Sequence, residues 1–431
     1  MLTDKTVLLS LLFVLQQVDK CVALMNVKQD GVRRNPSENR QVLLISLDGF
    51  GWDYMNKTST PNLDYITRTG VQAEYLRSSF PTTTYPNHFT MVTGLYPETH
   101  GIIANYMRDP ELKGRFDIYN SDPKWWGAFG AVPLWITNQE QGGRSAVIHW
   151  PGYNVPFEGK TPDLNLESPS FNIDLRNKSG KVMSYEGRID LLMKWLKSEN
   201  PPNFIAMYFE EPDEVGHLYG PKSEEVKRMI RKMDSVVGEV LLRLRTEGLL
   251  DSTNVIVTSD HGMEEISSSR QLFVDTYVDP SSYDIWDRST NLMISPHDKD
   301  HAEDTYNQFK QIPHVKVYWK ADIPKQYHFA NNRRVPEIFV MADNGWTITV
   351  GKPPKNPKKW IKGNHGFSNE YKSQRGFFVA RGPAFRVGYK AKGFDNVHLY
   401  PLLCRLLRVT PRPNNGTLVP TNHMLRSDFD R

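Results

Sequence analysis

The sequence predicts an α/β fold, a doubly wound and mostly parallel sheet, and two observations predict it. Val42–Leu47, Phe204–Phe209 and Asn254–Thr258 are short apolar runs rich in β-branched residues, the composition of strands buried on both faces, and each runs into acidic residues. Between them lie helical patterns. From Ser223 to Gly248, after a Ser/Glu start, Val226, Met229, Ile230, Met233, Val237, Val240, Leu241 and Leu244 follow i, i+3, i+4 spacing. Strands that alternate with helices across long connections pair in parallel, and such sheets bind ligands beyond the carboxyl ends of their strands.

Composition narrows the possibilities. Hydrophobic residues are 39% and charged residues 24% of 431, which suits a folded chain with a large core. The net charge of +4 is small and evenly spread, so neither a nucleic-acid groove nor a membrane-binding face is expected. Affinity for phosphate must then come from a local site. Lys5, an apolar run from Val7 to Leu15 and small residues at Val22 and Ala23 predict a signal peptide over 1–23, followed by a linker over 24–41. The run is too short to span a bilayer and no second one of spanning length occurs, so a secreted protein without a transmembrane segment is expected. The Asn-X-Ser/Thr sequons at Asn56, Asn177 and Asn415 are candidate glycosylation sites.

Of the two cysteines, Cys21 leaves with the leader and Cys404 sits in the apolar string Tyr400–Leu407, which predicts a buried thiol rather than a disulfide. Stability must come from the core or from bound metal. The catalytic domain is expected over 42–410. Within it, 109–177 is rich in Trp, Pro and Gly, with Trp125, Trp126, Trp135, Trp150, Tyr153 and Phe157, and reads as an inserted cap over a pocket or as an outer layer of the core. Residues 411–431 form a Pro- and Asn-rich strap.

Candidate chemistry gathers at the strand ends. Asp48-Gly49 follows the first strand, where glycine permits a tight turn. Asp260-His261-Gly262 follows the third, and adjacent Asp and His reach one cation if the backbone turns at Gly262. After the second strand, Asp213 and His217 are four apart, so on a helical turn starting at Pro212 they share a face. In Thr82-Thr83-Thr84-Tyr85-Pro86, the proline suits a first helical turn and makes Thr84 the expected N-cap. Either Thr84 only caps, or the positive helix end and a cation acidify its hydroxyl into a nucleophile while the same helix end holds an anionic substrate. His88, on the same helix, is expected to orient the loop.

Together with Asn105 and Gly363-Asn364-His365-Gly366, these residues resemble, position by position from about 40 to 410, the ecto-nucleotide pyrophosphatase/phosphodiesterase family of the alkaline phosphatase superfamily. Supporting strings are Thr93-Gly94-Leu95-Tyr96-Pro97, Trp150-Pro151-Gly152 and Gly216–Pro221. The resemblance implies an alkaline phosphatase-like fold and two Zn²⁺ per chain, one on Asp213, His217 and His365, the other on Asp48, Asp260, His261 and the Thr84 oxygen. It implies a covalent threonine intermediate, with Asn105 donating to the phosphoryl oxygen. Two cations that clamp the attacking and leaving oxygens, on carboxylate and imidazole ligands, suit that chemistry.

Relatives divide between nucleotide hydrolases and enzymes that cut choline phosphodiesters. Thr84–His88 resembles the former, whereas His328–Val335 and Val397–Leu407 resemble the alkaline sphingomyelinase member. Tyr85, Trp150 and Tyr219 are candidate substrate contacts that would stack on a base or enclose a quaternary ammonium. Because the Thr84 loop touches substrate, the expected partner is a small nucleotide phosphodiester, cleaved by a monomer. The opposing reading, a silent extracellular binding module, predicts a lost ligand or hydroxyl, and every position is filled. Larger family members carry cysteine-rich and nuclease-like modules, which two cysteines do not supply.

Overall fold

The computed structural model describes residues 41–165, 183–351, 360–427 and 429. The expected leader, most of the linker, Cys21, the Asn177 sequon and the tip of the strap lie outside them. The three foreseen strands form with the boundaries read from sequence, and every residue in them is buried. They are the middle of an eight-stranded sheet ordered Tyr389–Ala391, Val71–Ala73, Phe378–Arg381, Asn254–Thr258, Val42–Leu47, Phe204–Phe209, Ser145–Ile148, Leu164–Asn165. Val42–Leu47 pairs in parallel with both neighbours, Val42 facing Phe204 on one side and Asn254 on the other. Phe378–Arg381 runs antiparallel to Asn254–Thr258, so the sheet is mostly rather than wholly parallel. Parallel register brings the carboxyl ends of the three central strands level, and the acidic residues beyond them converge.

The aromatic segment has two roles. Its Ser145–Ile148 and Leu164–Asn165 extend the sheet in parallel. Trp125, Trp126, Trp135, Trp150 and Phe157 are buried in the main core. Fully buried Arg334 holds the segment in place: its guanidinium donates to Asp109 Oδ2 at 2.7 Å and to the Trp125 carbonyl at 2.9 Å. Cys404 is a free thiol in the same core, and burial pushes its pKa up to about 12.

The sequence reading did not anticipate a second, four-stranded antiparallel sheet, ordered Tyr283–Arg288, Asn291–Pro296, Ile338–Ala342, Val315–Trp319. It has its own core, including Leu292, Ile294, Phe309, Ile338, Val340 and Phe367. Alternation of the kind seen in Val315-Lys316-Val317-Tyr318-Trp319 was the available signal. This sheet matters because Phe367 anchors the loop that carries His365.

The long helix spans Glu224–Thr246, capped by Ser223, whose Oγ accepts the Val226 N–H at 3.2 Å. Its apolar stripe is as foreseen, with one buried exception. Asp234 accepts the N–H groups of Asn62 at 3.1 Å and Leu63 at 2.8 Å and the Asn62 Nδ2 at 2.8 Å, serving as a cap in trans for the helix Pro61–Thr69. Burial still pushes the Asp234 pKa up to about 6. Asp234→Ala strands these donors, and the expected loss of stability is about 2–3 kcal/mol in urea denaturation. A loss under about 0.5 kcal/mol would show that water replaces the carboxylate.

Candidate active site

Each candidate ligand is placed by a strand end. The Asp48 N–H donates to the Phe209 carbonyl at 2.9 Å, which continues the sheet for one residue and sets the Asp48 side chain above its edge. Gly49 turns the chain at φ +65°, and a Cβ there would lie 2.9 Å from that of Asp213, so glycine serves both the turn and the close approach. Asp213 and His217 share one face of the helix Asp213–Tyr219, which starts after Pro212. Gly262 differs from expectation. Its φ is not left-handed, and a Cβ would lie 2.2 Å from the Ser373 carbonyl oxygen, so glycine is needed there for close backbone packing rather than for a turn.

The side chains gather into two clusters whose potential ligand atoms lie within 4.8 Å of one another: Asp213, His217 and His365, and Asp48, Asp260 and His261. His365 is delivered by the loop after Gly363–Asn364, which pairs with Glu264–Glu265. The clusters adjoin, since the His261 and His365 rings stack at 3.5 Å. In the first, His217 Nε2 lies 3.3 Å from Asp213 Oδ2, and His365 Nε2 lies 3.5 Å from Asp213 Oδ1. In the second, His261 Nε2 lies 3.1 Å from Asp260 Oδ2 and 3.3 Å from Asp48 Oδ1.

Hydrogen bonding fixes the tautomers. His217 Nδ1 faces the Gly363 carbonyl, His365 Nδ1 the Thr82 carbonyl and His261 Nδ1 the Gly262 carbonyl, each at 2.9 Å. A carbonyl only accepts, so each Nδ1 bears hydrogen and each neutral ring turns an Nε2 lone pair inward. The Nε2 atoms of His217 and His365 then face each other at 3.1 Å, two acceptors with nothing to donate. Asp48 Oδ1, Asp213 Oδ1 and Asp260 Oδ2 are likewise buried without a hydrogen-bond partner. Converging lone pairs and unpaired carboxylate oxygens fit divalent cations.

The proton affinities tell the same story. Burial, with Asp260 and Asp213 nearby, pushes the Asp48 carboxyl well above its usual range. Burial would raise Asp213 too, but the imidazoles of His217 and His365 hold it well below. Burial and the neighbouring His261 push His365 down to about 3. The cluster is too rich in negative charge and lone pairs to be stable without positive charge, as protons or metal.

Thr84 is not the N-cap. The helix runs Thr84–Thr93 with extended Thr83 as cap, so Thr84 is the first helical residue and Pro86 the third. Proline is tolerated there because first-turn N–H groups lack intrahelical acceptors. Freed from capping, the Thr84 Oγ1 sits 3.4 Å from His261 Nε2. The helix end offers fewer anion donors than expected, since the Tyr85 N–H donates to Asn105 Oδ1 at 2.9 Å and Pro86 has none. That bond orients the Asn105 amide and leaves its Nδ2 as a donor. His88 orients the loop: Nδ1 donates to the Thr84 carbonyl at 2.8 Å and Nε2 accepts from Ser46 at 2.9 Å.

Beside Thr84 opens a cleft lined by Tyr85, Ile118, Tyr119, Asn120, Trp126, Tyr153 and Asn154. Of the expected substrate contacts, Tyr85 lines it. Trp150 does not, being fully buried with its Nε1 donating to the His88 carbonyl at 3.2 Å, which makes it a support for the helix Thr84–Thr93. Tyr219 stands 46% exposed outside the cleft lining. Tyr153 faces the cleft but was read only as one aromatic of the segment. Asn56 and Asn415 are exposed.

The sequence profile of type I phosphodiesterase / nucleotide pyrophosphatase matches residues 42–368. The chain belongs to that family. This phosphodiesterase is 39% identical over 402 residues to bis(5'-adenosyl)-triphosphatase of the mouse, covering 92% of the chain and 84% of that protein. It is 36% identical over 397 residues to human ectonucleotide pyrophosphatase/phosphodiesterase family member 5, covering 91% and 80%. Murine ectonucleotide pyrophosphatase/phosphodiesterase 5, solved as an inactive threonine-to-alanine variant in complex with AMP, superposes with a TM-score of 0.82 at 36% identity, covering 90% of this chain and 100% of that one. The phosphodiesterase is therefore a phosphoric diester hydrolase of alkaline phosphatase-like fold. Among the described residues no helix is long and apolar enough to cross a membrane.

Stripping divalent cations with a chelator is expected to lower the melting midpoint and abolish hydrolysis, and added Zn²⁺ to restore both. A site held at 1,000 times its Kd contributes about 4 kcal/mol. Burial of His217 and His261 is outweighed by Asp213 and Asp260, which hold both above the usual imidazole value. Because the imidazoles must lose their protons to bind, the effect should already begin to fade above about pH 6.5 as the pH falls. An unchanged midpoint at neutral pH would mean that the clusters hold no ion.

Proposed function

We propose that this phosphodiesterase hydrolyses phosphodiester and pyrophosphate bonds of nucleotides outside the cell, through a covalent intermediate on Thr84 and with two bound Zn²⁺. The reading rests above all on one observation: the Thr84 hydroxyl sits against His261 where a buried and a partly buried cluster of potential ligand atoms adjoin. Asp213, His217 and His365 would hold one ion, and Asp48, Asp260, His261 and the Thr84 oxygen the other. Carboxylate and imidazole donors suit zinc. Bound ions would supply Lewis-acid charge that favours the ionised hydroxyl and neutralises the phosphoryl oxygens.

Thr84 Oγ attacks phosphorus, an Oγ–P bond forms, and the bond to the leaving oxygen breaks as that group takes up a proton. Water then attacks phosphorus, the Oγ–P bond breaks and the hydroxyl regains a proton. Asn105, held by the Tyr85 N–H, donates Nδ2 to a non-bridging oxygen and stabilises its growing charge. Tyr85 and Tyr153, which line a small cleft one residue along from Thr84, are the aromatic side chains that would meet a base.

The AMP complex of the murine relative supports a nucleotide. The string His328–Val335, which resembled a choline-lipid enzyme, owes its Arg334 to packing, since that side chain is buried on Asp109. The leader read over 1–23 and the exposed sequons at Asn56 and Asn415 support an extracellular setting.

Thr84→Ala is expected to cut turnover of p-nitrophenyl-TMP at least ~10³-fold with zinc content retained; full activity would exclude the mechanism. Asn105→Ala should lower kcat by about 10²–10³ with little change in KM. Faster hydrolysis of p-nitrophenylphosphocholine or sphingomyelin than of nucleotide esters would instead move the substrate to the choline class.

A further inference from the structure

Tyr208 has no part in the steps above, yet its phenol donates to Oδ2 of Asp48 at 2.5 Å. Sheet register creates this contact. Tyr208 lies opposite Ser46, so its side chain rises on the face shared by Ser46 and, two residues on, Asp48. The ring is buried and stands edge-on to His88, centroids 5.0 Å apart at 88°. His88 in turn is held by Ser46 and the Thr84 carbonyl. A carboxylate has two equivalent oxygens, and rotation about its last bond exchanges them. With Oδ2 tied to the phenol, Oδ1 is left facing His261 Nε2 at 3.3 Å, buried and without a hydrogen-bond partner. The Asp260 carboxylate is divided in the same manner, Oδ1 accepting the Gly49 N–H at 3.2 Å while Oδ2 is unpartnered.

We propose that Tyr208 is a positioning residue, which fixes Asp48 as a one-oxygen ligand and thereby sets the affinity of the Asp48–Asp260–His261 cluster for its divalent cation. The inference rests on the two-cation reading of the site. It assigns the hydroxyl, not the ring, as the group that matters, and it confines the effect to one of the two clusters, because the phenol bonds Asp48 and not Asp213. Without the phenol, Oδ2 is buried with no donor, and the carboxylate is free to rotate or to recruit a proton. Both compete with metal binding.

Tyr208→Phe keeps the packing and removes the donor. Chelator-stripped full chain is titrated with Zn²⁺ against a chromophoric competitor, and the melting midpoint is recorded. Wild type should take up two equivalents. Tyr208→Phe should take up one at wild-type affinity and the second about 10- to 100-fold more weakly. Its kcat should fall at limiting Zn²⁺ and recover as Zn²⁺ is raised, with KM unchanged, a rescue that a general packing defect does not give. Two equivalents at wild-type affinity in Tyr208→Phe would overturn the proposal alone, as would equal weakening of both sites. A deficit seen in Tyr208→Leu but absent in Tyr208→Phe would assign the effect to the ring and overturn it too. Fewer than two equivalents in wild type would overturn the two-cation reading and this inference with it.

Discussion

Two buried carboxylates, a third that is partly exposed, and three inward-facing imidazole lone pairs form two adjoining clusters, and much of the surrounding structure exists to keep them there. Left alone, such a set repels itself. What holds it is a shell of fixed partners on the outer atoms: carbonyls on every Nδ1, the Tyr208 phenol on Asp48, and the Gly49 amide on Asp260. Each outer bond turns one inner atom toward the site, and Asp48 Oδ1 and Asp260 Oδ2 are left without a hydrogen-bond partner. The unsatisfied atoms are therefore a product of the fold rather than a defect in it, and positive charge from solution is what completes the pocket.

Ligand placement follows from the parallel sheet. Strands that run the same way end at the same level, so residues separated by more than 150 positions in sequence, such as Asp48 and Asp213, become neighbours. Thr84, the candidate nucleophile, reaches this level by another route. Thr84 begins a helix whose far side rests on Trp150 and whose first carbonyl is held by His88, and both supports come from ordinary core packing.

Much of this was legible in the sequence because the signals were local. Val42–Leu47, Phe204–Phe209 and Asn254–Thr258 had to be strands, being too apolar and too short for much else, and the acids beyond them marked the site. Spacing of four put Asp213 and His217 together. What was not legible depended on partners distant in sequence. Trp150 looks like a stacking platform until the core closes over it. Gly262 looks like a turn until the Ser373 carbonyl is seen to occupy the space of its missing side chain. Thr84 and Thr83 are chemically the same candidate for the cap, and only the backbone separates them. The second sheet was missed because Tyr283–Arg288 and Val315–Trp319 mix apolar and polar residues, a weaker pattern than a continuous run, although Ile338–Ala342 is as apolar as the three foreseen strands.

The route by which His365 arrives has a consequence for how the molecule comes into being. That ring is borne by a loop whose neighbour Phe367 belongs to the core of the smaller sheet, and whose Gly366 carbonyl accepts from Asn291 on one of its strands at 2.7 Å. A ribosome makes Asp48 first and His365 more than three hundred residues later. Until then a growing chain holds five of the six candidate ligands, and the Asp213–His217–His365 cluster is incomplete. A fragment ending before the smaller sheet would keep Thr84 but lose His365 and, with Phe378–Arg381 and Leu399–Leu407, part of the large core as well.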